Sequence, residues 1–243
     1  MKTGTATLTR KGRAWYDTGH AWIYRDDLAR LESAAPGDIV RVLDARGATL
    51  GSAFYGGASK IALRIITRSD EPVDEQFFER RIRESVERRR GLGPAQGALR
   101  LVYSEGDGLP GLVADRYAEW LVLQALIPGT DRRLELFADI FNAVLAPKGI
   151  VCRNDARARA LEGLPIEKKL LRGDLAGPVE VREGEIRYMA DLLGGHKTGA
   201  YLDQRENRDA VARMARGEVL DCFSYQGLFA IRCAGRAESV TAV

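Results

Sequence analysis

The C-terminal segment from Val219 onward constrains the fold most, because it alternates between strand-forming and helix-forming runs. Residues 219–222 are predicted as a buried strand, 228–233 as the start of a helix, and 239–243 as a further strand. A strand, a crossover helix and a second strand are typical of a parallel, doubly wound sheet. One such unit does not complete a sheet of this kind, so the sequence predicts an incomplete domain here.

Composition is that of a soluble globular protein, with 243 residues of which 45% are hydrophobic and 29% charged. No apolar run is long enough to cross a bilayer, and the N-terminal residues lack the apolar region of a signal peptide. The sequence therefore predicts a cytoplasmic protein with no membrane partner. Cys152, Cys222 and Cys233 are far apart, which excludes a disulfide framework and a zinc site and predicts small buried hydrophobes without a metal.

Ahead of the C-terminal segment, the chain divides into two blocks. Residues 1–70 hold short strands at 38–44, 49–55 and 61–66, joined by tight turns, which predicts a small β-barrel. Residues 71–190 mix a helix at 74–91, a hairpin at 112–126, a helix at 131–146, a strand at 149–153 and a hairpin around 183–184, which predicts an α+β domain. The third block, 191–243, adds a helix at 203–215 with Asp203 and Glu206 spaced as a capping box.

Two segments of the third block could approach a ligand. Residues 194–199, Gly-Gly-His-Lys-Thr-Gly, can present backbone N–H groups and a cation to a carboxylate. The turn after the strand at 219–222 can also approach a ligand, although it lacks the GxGxxG spacing of a dinucleotide site. A plain strand-to-helix turn and a hairpin with a solvated lysine remain the alternatives.

Two strings occur in order, Gly195-His-Lys-Thr-Gly199 followed by Tyr201-Leu-Asp-Gln-Arg205, and then Val219-Leu-Asp-Cys-Phe-Ser-Tyr225. With them the chain resembles the bacterial large-subunit ribosomal RNA methyltransferases that form 5-methylcytosine. The resemblance extends over the whole chain. It includes three further strings: Gly19-His-Ala-Trp-Ile23, the loop at 105–113, and Val151-Cys-Arg-Asn-Asp155 followed by Leu161-Glu-Gly163.

The resemblance implies an N-terminal PUA-like RNA-binding barrel (1–70), a central α+β domain (71–190) and an incomplete Rossmann-like domain (191–243) that binds S-adenosylmethionine (SAM). It also implies a ribosomal RNA partner and methyl transfer from SAM to C5 of a cytosine. In such a reaction a cysteine thiolate adds to C6 and so activates C5. The family's cysteine, its acidic partner and the acidic residue for the SAM ribose come later than Val243. We therefore expect no catalytic residue among these 243 residues, little or no catalysis, and no nucleophilic role for Cys222.

The residues that the resemblance assigns to the cofactor are Lys197, Thr198, Gly199, Tyr201, Gln204, Arg205, Asp221, Phe223, Ser224, Tyr225 and Gly227. Three positions depart from the family pattern. Ala21 replaces a proline, which should loosen a turn of the barrel, and Gln226 and Leu228 replace a threonine and a small residue. Leu228 is expected to crowd the cofactor.

Candidate RNA contacts lie on the barrel at Lys11, Arg13 and His20, whereas Trp22 is predicted to lie in the core. The net charge of +3 permits nucleic-acid binding without requiring it. Six arginines between 80 and 90 alternate with glutamates, which favours a salt-bridged helix face over phosphate contact. Asp107 is predicted to belong to a rigid connector rather than to a catalytic site.

Two other functions remain open. The chain could be a non-catalytic RNA-binding module built on the barrel, or a nucleotide-dependent oxidoreductase, against which the missing GxGxxG argues. The unfinished sheet edge at 219–243 favours self-association or disorder and leaves a homodimer open.

Overall fold

A computed structural model describes residues 4–93 and 97–243. The signal-peptide prediction draws partly on residues 1–3, which lie outside the described residues, as do 94–96 within the predicted central domain. In the described part of the chain, no helix has the length and apolar character needed to cross a membrane.

The N-terminal part is a six-stranded sheet with the order β2-β6-β5-β4-β1-β3. Its elements are β1 Gly4–Leu8, α1 Arg10–Asp17, β2 Trp22–Tyr24, β3 Leu28–Glu32, β4 Ile39–Leu43, β5 Thr49–Tyr55 and β6 Ile61–Thr67. Strands β4, β5 and β6 confirm the three predicted strands. Thr9 caps α1 by accepting a hydrogen bond from Gly12 N, and Gly12 permits close contact because a Cβ there would lie 2.3 Å from Asp27 O.

The central part is a five-stranded sheet with the order β11-β10-β9-β8-β7, in which β9 and β10 are parallel. Its elements are α2 Glu75–Arg88, β7 Ala98–Tyr103, β8 Leu112–Tyr117, β9 Trp120–Ala125, α3 Pro128–Asp131, α4 Leu134–Leu145, β10 Gly149–Asn154, α5 Ala158–Leu161 and β11 Glu167–Arg172. The single helix predicted at 131–146 is wrong at its start. The chain instead forms α3 and α4, separated at Arg132 and Arg133.

One hydrophobic core joins the barrel to the central sheet. Phe78 on α2 lies 6.2 Å from Phe54 of β5 and 5.2 Å from Phe137 of α4, measured between ring centroids. All three rings are buried in one cluster that also contains residues of the central strands. Helices α2 and α4 therefore cover the sheet and also hold the barrel against it.

The prediction that Trp22 lies in the core is wrong. Trp22 is half-buried where the barrel meets the central part. Its indole N–H donates to Glu105 Oε1 at 2.7 Å, and Arg64 pairs with both Glu105 (3.3 Å) and Glu162 (2.6 Å). An indole N–H needs an acceptor when water is excluded, and that acceptor lies across the junction. Burial alone would raise the pKa of Glu105, but hydrogen bonds from Ser104 and Trp22 hold it below its usual value.

The arginine-rich helix α2 has the salt-bridged face that charge patterning favoured. Arg88 and Arg89 pair with the buried carboxylate of Asp107 at 2.7 and 2.8 Å. Burial opposes ionisation of Asp107, but these two guanidinium groups hold its pKa below the usual value. Other arginines here pair with Glu71, Glu79, Glu84 or Glu87. Asp107 thus anchors the connector after β7, as predicted.

The C-terminal part contains an antiparallel hairpin and a parallel strand pair. Its elements are β12 Val179–Glu183, β13 Ile186–Ala190, α6 Arg205–Met214, β14 Glu218–Asp221, α7 Leu228–Ala234 and β15 Ser239–Ala242. The parallel pairing of β14 with β15 around α7 confirms the predicted strand–helix–strand unit. The prediction that the first of these strands is buried is wrong: Leu220 is 62% exposed, because β14 has a single partner strand.

The predicted capping box is also wrong. Helix α6 begins at Arg205, after a 3₁₀ turn over Leu202–Gln204, so Asp203 lies inside that turn rather than at the N-cap. Gln204 occupies the N-cap position and makes no side-chain capping hydrogen bond. The domain boundaries at 70 and 190 stay a prediction.

Candidate cofactor site

The glycine-rich loop at 194–199 is fastened to the central sheet through Asp115. This carboxylate on β8 is fully buried and accepts a hydrogen bond from Thr198 Oγ1 at 2.7 Å and two from Arg100 at 2.8 and 2.9 Å. Tyr117 OH lies 2.9 Å from Thr198 Oγ1 and accepts from Ala200 N at 3.0 Å. Burial raises the pKa of Tyr117, so it remains a neutral phenol. The Thr198 hydroxyl is thus committed to this network.

The backbone conformation at Gly199 favours glycine, and a side chain there would be crowded. Its φ is +143°, and a Cβ there would lie 3.0 Å from Leu192 and 3.3 Å from Tyr117. From β10, buried Arg153 donates to Leu192 O and Gly195 O, both at 2.9 Å. The loop is therefore held at both ends and along its backbone.

Three rings connect this loop to the turn between β14 and α7. The rings of His196 and Tyr225 are stacked, with centroids 4.3 Å apart and planes 4° from parallel. Tyr225 OH accepts from His196 N at 2.8 Å, and Tyr201 OH lies 3.3 Å from His196 Nδ1. Sequence reasoning assigned both tyrosines to the site and missed His196. The signal for His196 was its position inside the Gly-His-Lys-Thr-Gly string.

A cleft of about 620 Å³ opens beside these rings. Its lining residues are His196, Tyr201, Gln204, Arg208, Cys222, Phe223, Ser224, Tyr225, Gln226, Leu228, Phe229 and Val243. Five of the predicted cofactor residues are thus brought together in one place. The size and the aromatic lining match a small-molecule site, and Phe223 presents a ring that is 96% exposed.

Two oxygens in and beside the cleft are buried without a partner in the described ranges 4–93 and 97–243: Gln226 Oε1 and Asp221 Oδ2. Gln226 Nε2 donates to Met189 O at 2.9 Å and Gly199 O at 3.3 Å, which orients the amide. Buried acceptors without a partner are costly unless a ligand or water supplies a donor. The amine and hydroxyl groups of a nucleoside-like ligand would supply such donors.

Two of the predicted cofactor residues lie in a different cleft. Lys197 and Arg205 line a second cleft of about 430 Å³, on the side of the loop that faces β7. Gly227 is the N-cap of α7 with a φ of +71°, a conformation that favours glycine. Leu228, expected to crowd the cofactor, is 6% exposed and packs into the core with Tyr188. Leu228 also lines the cofactor cleft, and its crowding of a cofactor stays a prediction.

Beneath the cleft lies a buried ion pair that sequence reasoning did not find. Arg208 on α6 is 2% exposed and donates through Nε to Glu183 Oε1 at 2.8 Å, and through a second nitrogen to Glu183 Oε2. Its remaining nitrogen donates to Tyr201 O at 3.2 Å. Arg208 therefore links hairpin β12–β13 to the backbone that carries Tyr201.

The cysteine prediction is partly wrong. Cys152 and Cys233 are buried as expected, but Cys222 is exposed at the cleft because it follows the open strand β14. Burial raises the pKa of the Cys152 thiol to about 11.

The predicted RNA-contact residues lie on α1 or close after it. Lys11 pairs with Asp27 at 3.3 Å, with its side chain 82% exposed, and Arg13 pairs with Asp17 at 2.8 Å. The ring of His20 lies 4.5 Å from that of Trp15, and its Nδ1 accepts from the backbone of the same segment. Their role in RNA binding stays a prediction.

Comparisons with a family profile and with solved structures support the predicted class of fold. A family profile described as a PUA-like domain matches residues 6–68. A Streptococcus mutans protein classed as a SAM-dependent methyltransferase superposes on 98% of this chain with a TM-score of 0.80, at 20% identity and over 62% of its own chain. A methyltransferase structure complexed with S-adenosylhomocysteine (SAH) gives a TM-score of 0.83 with the same coverage and identity. The chain thus has the multidomain fold of these methyltransferases, as the sequence predicted.

Sequence comparison is more specific. The ribosomal RNA large subunit methyltransferase I of Yersinia pseudotuberculosis serotype O:1b is 37% identical over 218 residues, which is 87% of this chain and 55% of the relative. The protein of the same name from Yersinia pestis bv. Antiqua gives the same values. The chain spans about half the length of the curated relatives it matches, and over that span it is a homologue of ribosomal RNA large subunit methyltransferase I.

Proposed function

We propose that the cleft between the 194–199 loop and the 222–228 turn binds SAM, and that the chain serves methyl transfer to C5 of a cytosine in large-subunit ribosomal RNA. The observation that carries this proposal is the aromatic cleft beside the 194–199 loop, in a chain that is 37% identical over 218 residues to a ribosomal RNA large subunit methyltransferase I. An enzyme with this substrate works in the cytoplasm and in ribosomal RNA processing.

The residues of the cleft fit such a cofactor by chemistry. Tyr225 and Phe223 offer flat apolar faces to a purine, and aromatic faces also attract a cation such as a sulfonium. In the lining, the unpartnered Gln226 Oε1 would accept a hydrogen bond from an amine or a hydroxyl. SAM supplies an electrophilic methyl group when bound. These residues would bind and orient the cofactor, and no catalytic residue is assigned among them.

Cys222 offers a direct test, because its thiol lies in the lining of the cleft while Cys152 and Cys233 are buried. We expect a thiol reagent to label native Cys222 first, and SAH to slow that labelling. At an SAH concentration ten times the Kd, competition should slow it about elevenfold. The rate is followed by absorbance at pH 8, where burial keeps the Cys152 thiol protonated.

Cys222→Ser is the matched control and should abolish the fast phase. Labelling at the same rate with and without saturating SAH would contradict a cofactor site at this cleft. NAD serves as the comparison ligand and should give no protection.

The PUA-like profile over residues 6–68 also supports a second candidate, a non-catalytic RNA-binding module. Such a module would bind structured RNA with an affinity that SAH does not change, and its Cys222 would not be protected. Self-association through the exposed strands β14 and β15 likewise stays a prediction.

A further inference from the structure

The second cleft lies between edge strand β7 of the central sheet and the 3₁₀ turn at Leu202–Gln204. Its lining residues are Ala98, Leu99, Arg100, Tyr103, Lys197, Ala200, Leu202, Asp203 and Arg205. Apolar side chains therefore share the wall with three cations and one carboxylate. An exposed aromatic ring stands at one end of β7, since Tyr103 is 58% exposed.

The charges in this cleft are unevenly matched. Arg100 is held by Asp115, but neither Lys197 nor Arg205 forms an ion pair with any carboxylate of residues 4–93 or 97–243. Lys197 is exposed and lies with Nζ 5.4 Å from the ring centroid of Tyr201, and Asp203 is the one acidic side chain in the lining. Most other arginines described above are paired, so this local excess of positive charge differs from the salt-bridged face of α2.

Unpaired cations beside an exposed aromatic ring are the combination that holds single-stranded nucleic acid, where cations contact phosphates and the ring stacks on a base. We propose that this cleft binds a single-stranded segment of RNA, with Lys197 and Arg205 on phosphates and Tyr103 on a base. That the polymer is RNA rests on the proposed function.

The position of the second cleft places bound RNA close to the cofactor cleft. One short segment serves both clefts: His196 and Tyr201 line the cofactor cleft, while Lys197 and Leu202 line the second one. Arg100 is connected to the same segment through Asp115 and Thr198. An RNA strand bound by Lys197 and Arg205 would therefore lie next to the cofactor cleft, where the target base must be placed for methyl transfer.

The test is fluorescence anisotropy of a labelled oligouridine of about 12 nucleotides, a length within the range of single-strand binding sites, titrated with the full chain at several salt concentrations. Lys197→Ala and Arg205→Ala should each reduce the slope of log K against log salt concentration by about 0.7, the loss of one phosphate contact. Tyr103→Ala should weaken binding about tenfold with an unchanged slope, whereas Tyr103→Phe should keep the affinity.

Lys168→Ala is the matched control, because it removes one exposed positive charge from β11 at the opposite edge of the same sheet. It should leave the slope unchanged. The inference is overturned if Lys197→Ala and Arg205→Ala behave like Lys168→Ala, or if the wild-type chain does not bind the oligonucleotide.

Protection of Cys222 by SAH, measured on the wild-type chain and the Arg205→Ala and Tyr103→Ala variants, separates this inference from the proposed function. If SAH protects Cys222 in all three proteins and the substitutions leave RNA affinity unchanged, only the proposed RNA cleft is overturned. If SAH does not protect Cys222 in the wild-type chain and the substitutions lower RNA affinity, the cofactor proposal is overturned and the proposed RNA cleft is supported.

Discussion

Replacing Arg208 by methionine lowers the free energy of unfolding by about 3 kcal/mol, the lower end of the cost of breaking a buried ion pair. The substitution leaves the Glu183 carboxylate buried with one remaining cation, Arg232, at 3.9 Å. It also removes the donor to Tyr201 O, so SAH affinity should fall together with stability. Urea denaturation followed by circular dichroism measures the loss in the free energy of unfolding.

A double variant distinguishes loss of a pair from loss of packing. Arg208→Met with Glu183→Leu removes both charges, and replacing a buried pair by apolar side chains costs less than leaving one charge alone. We expect the double variant to be more stable than Arg208→Met. Equal or greater destabilisation of the double variant would refute the view that an uncompensated carboxylate causes the loss.

Phe78→Ala has the other large expected effect, a loss of about 3–5 kcal/mol. The ring is 1% exposed and lies between Phe54 of the barrel and Phe137 of α4. Its removal opens a cavity in the core that the barrel shares with the central sheet. Because both parts line that cavity, one cooperative transition should shift to lower urea concentration.

Leu92→Ala is the control, since Leu92 is 56% exposed and its truncation should change stability by less than about 0.5 kcal/mol. A Phe78→Ala variant no less stable than this control would show that the shared core does not hold the two parts together. Two separate transitions in the wild type would lead to the same conclusion.

Elements with a clear hydrophobic period were predictable from the sequence. Strands β4, β5 and β6, the hairpin β8–β9 and the parallel pair β14–β15 alternate or run apolar between turn residues, and each lies where it was expected. Strands β1, β2 and β3 are five, three and five residues long, too short to show a clear hydrophobic period, so their pairing depends on tertiary contacts that no local pattern records.

At the site, the sequence identified the segments better than the roles of single residues. Lys197 and Thr198 are neighbours, but Thr198 turns into the central sheet toward Asp115 while Lys197, with a φ of 55°, lines the other cleft. The contact of His196 with Tyr225 joins residues 29 positions apart. Such facts depend on how the loop is packed, and neither composition nor spacing encodes them.

Calorimetric titration of this chain with SAH, beside the Tyr225→Ala variant, tests whether the cleft beside His196 and Tyr225 binds the cofactor. Tyr225 supplies one ring of the cleft and the hydroxyl that accepts from His196 N. We expect saturable binding of one SAH per chain, weakened about tenfold, or 1.4 kcal/mol, in Tyr225→Ala. No saturable heat with the wild-type chain, or an equal Kd in both proteins, would contradict it.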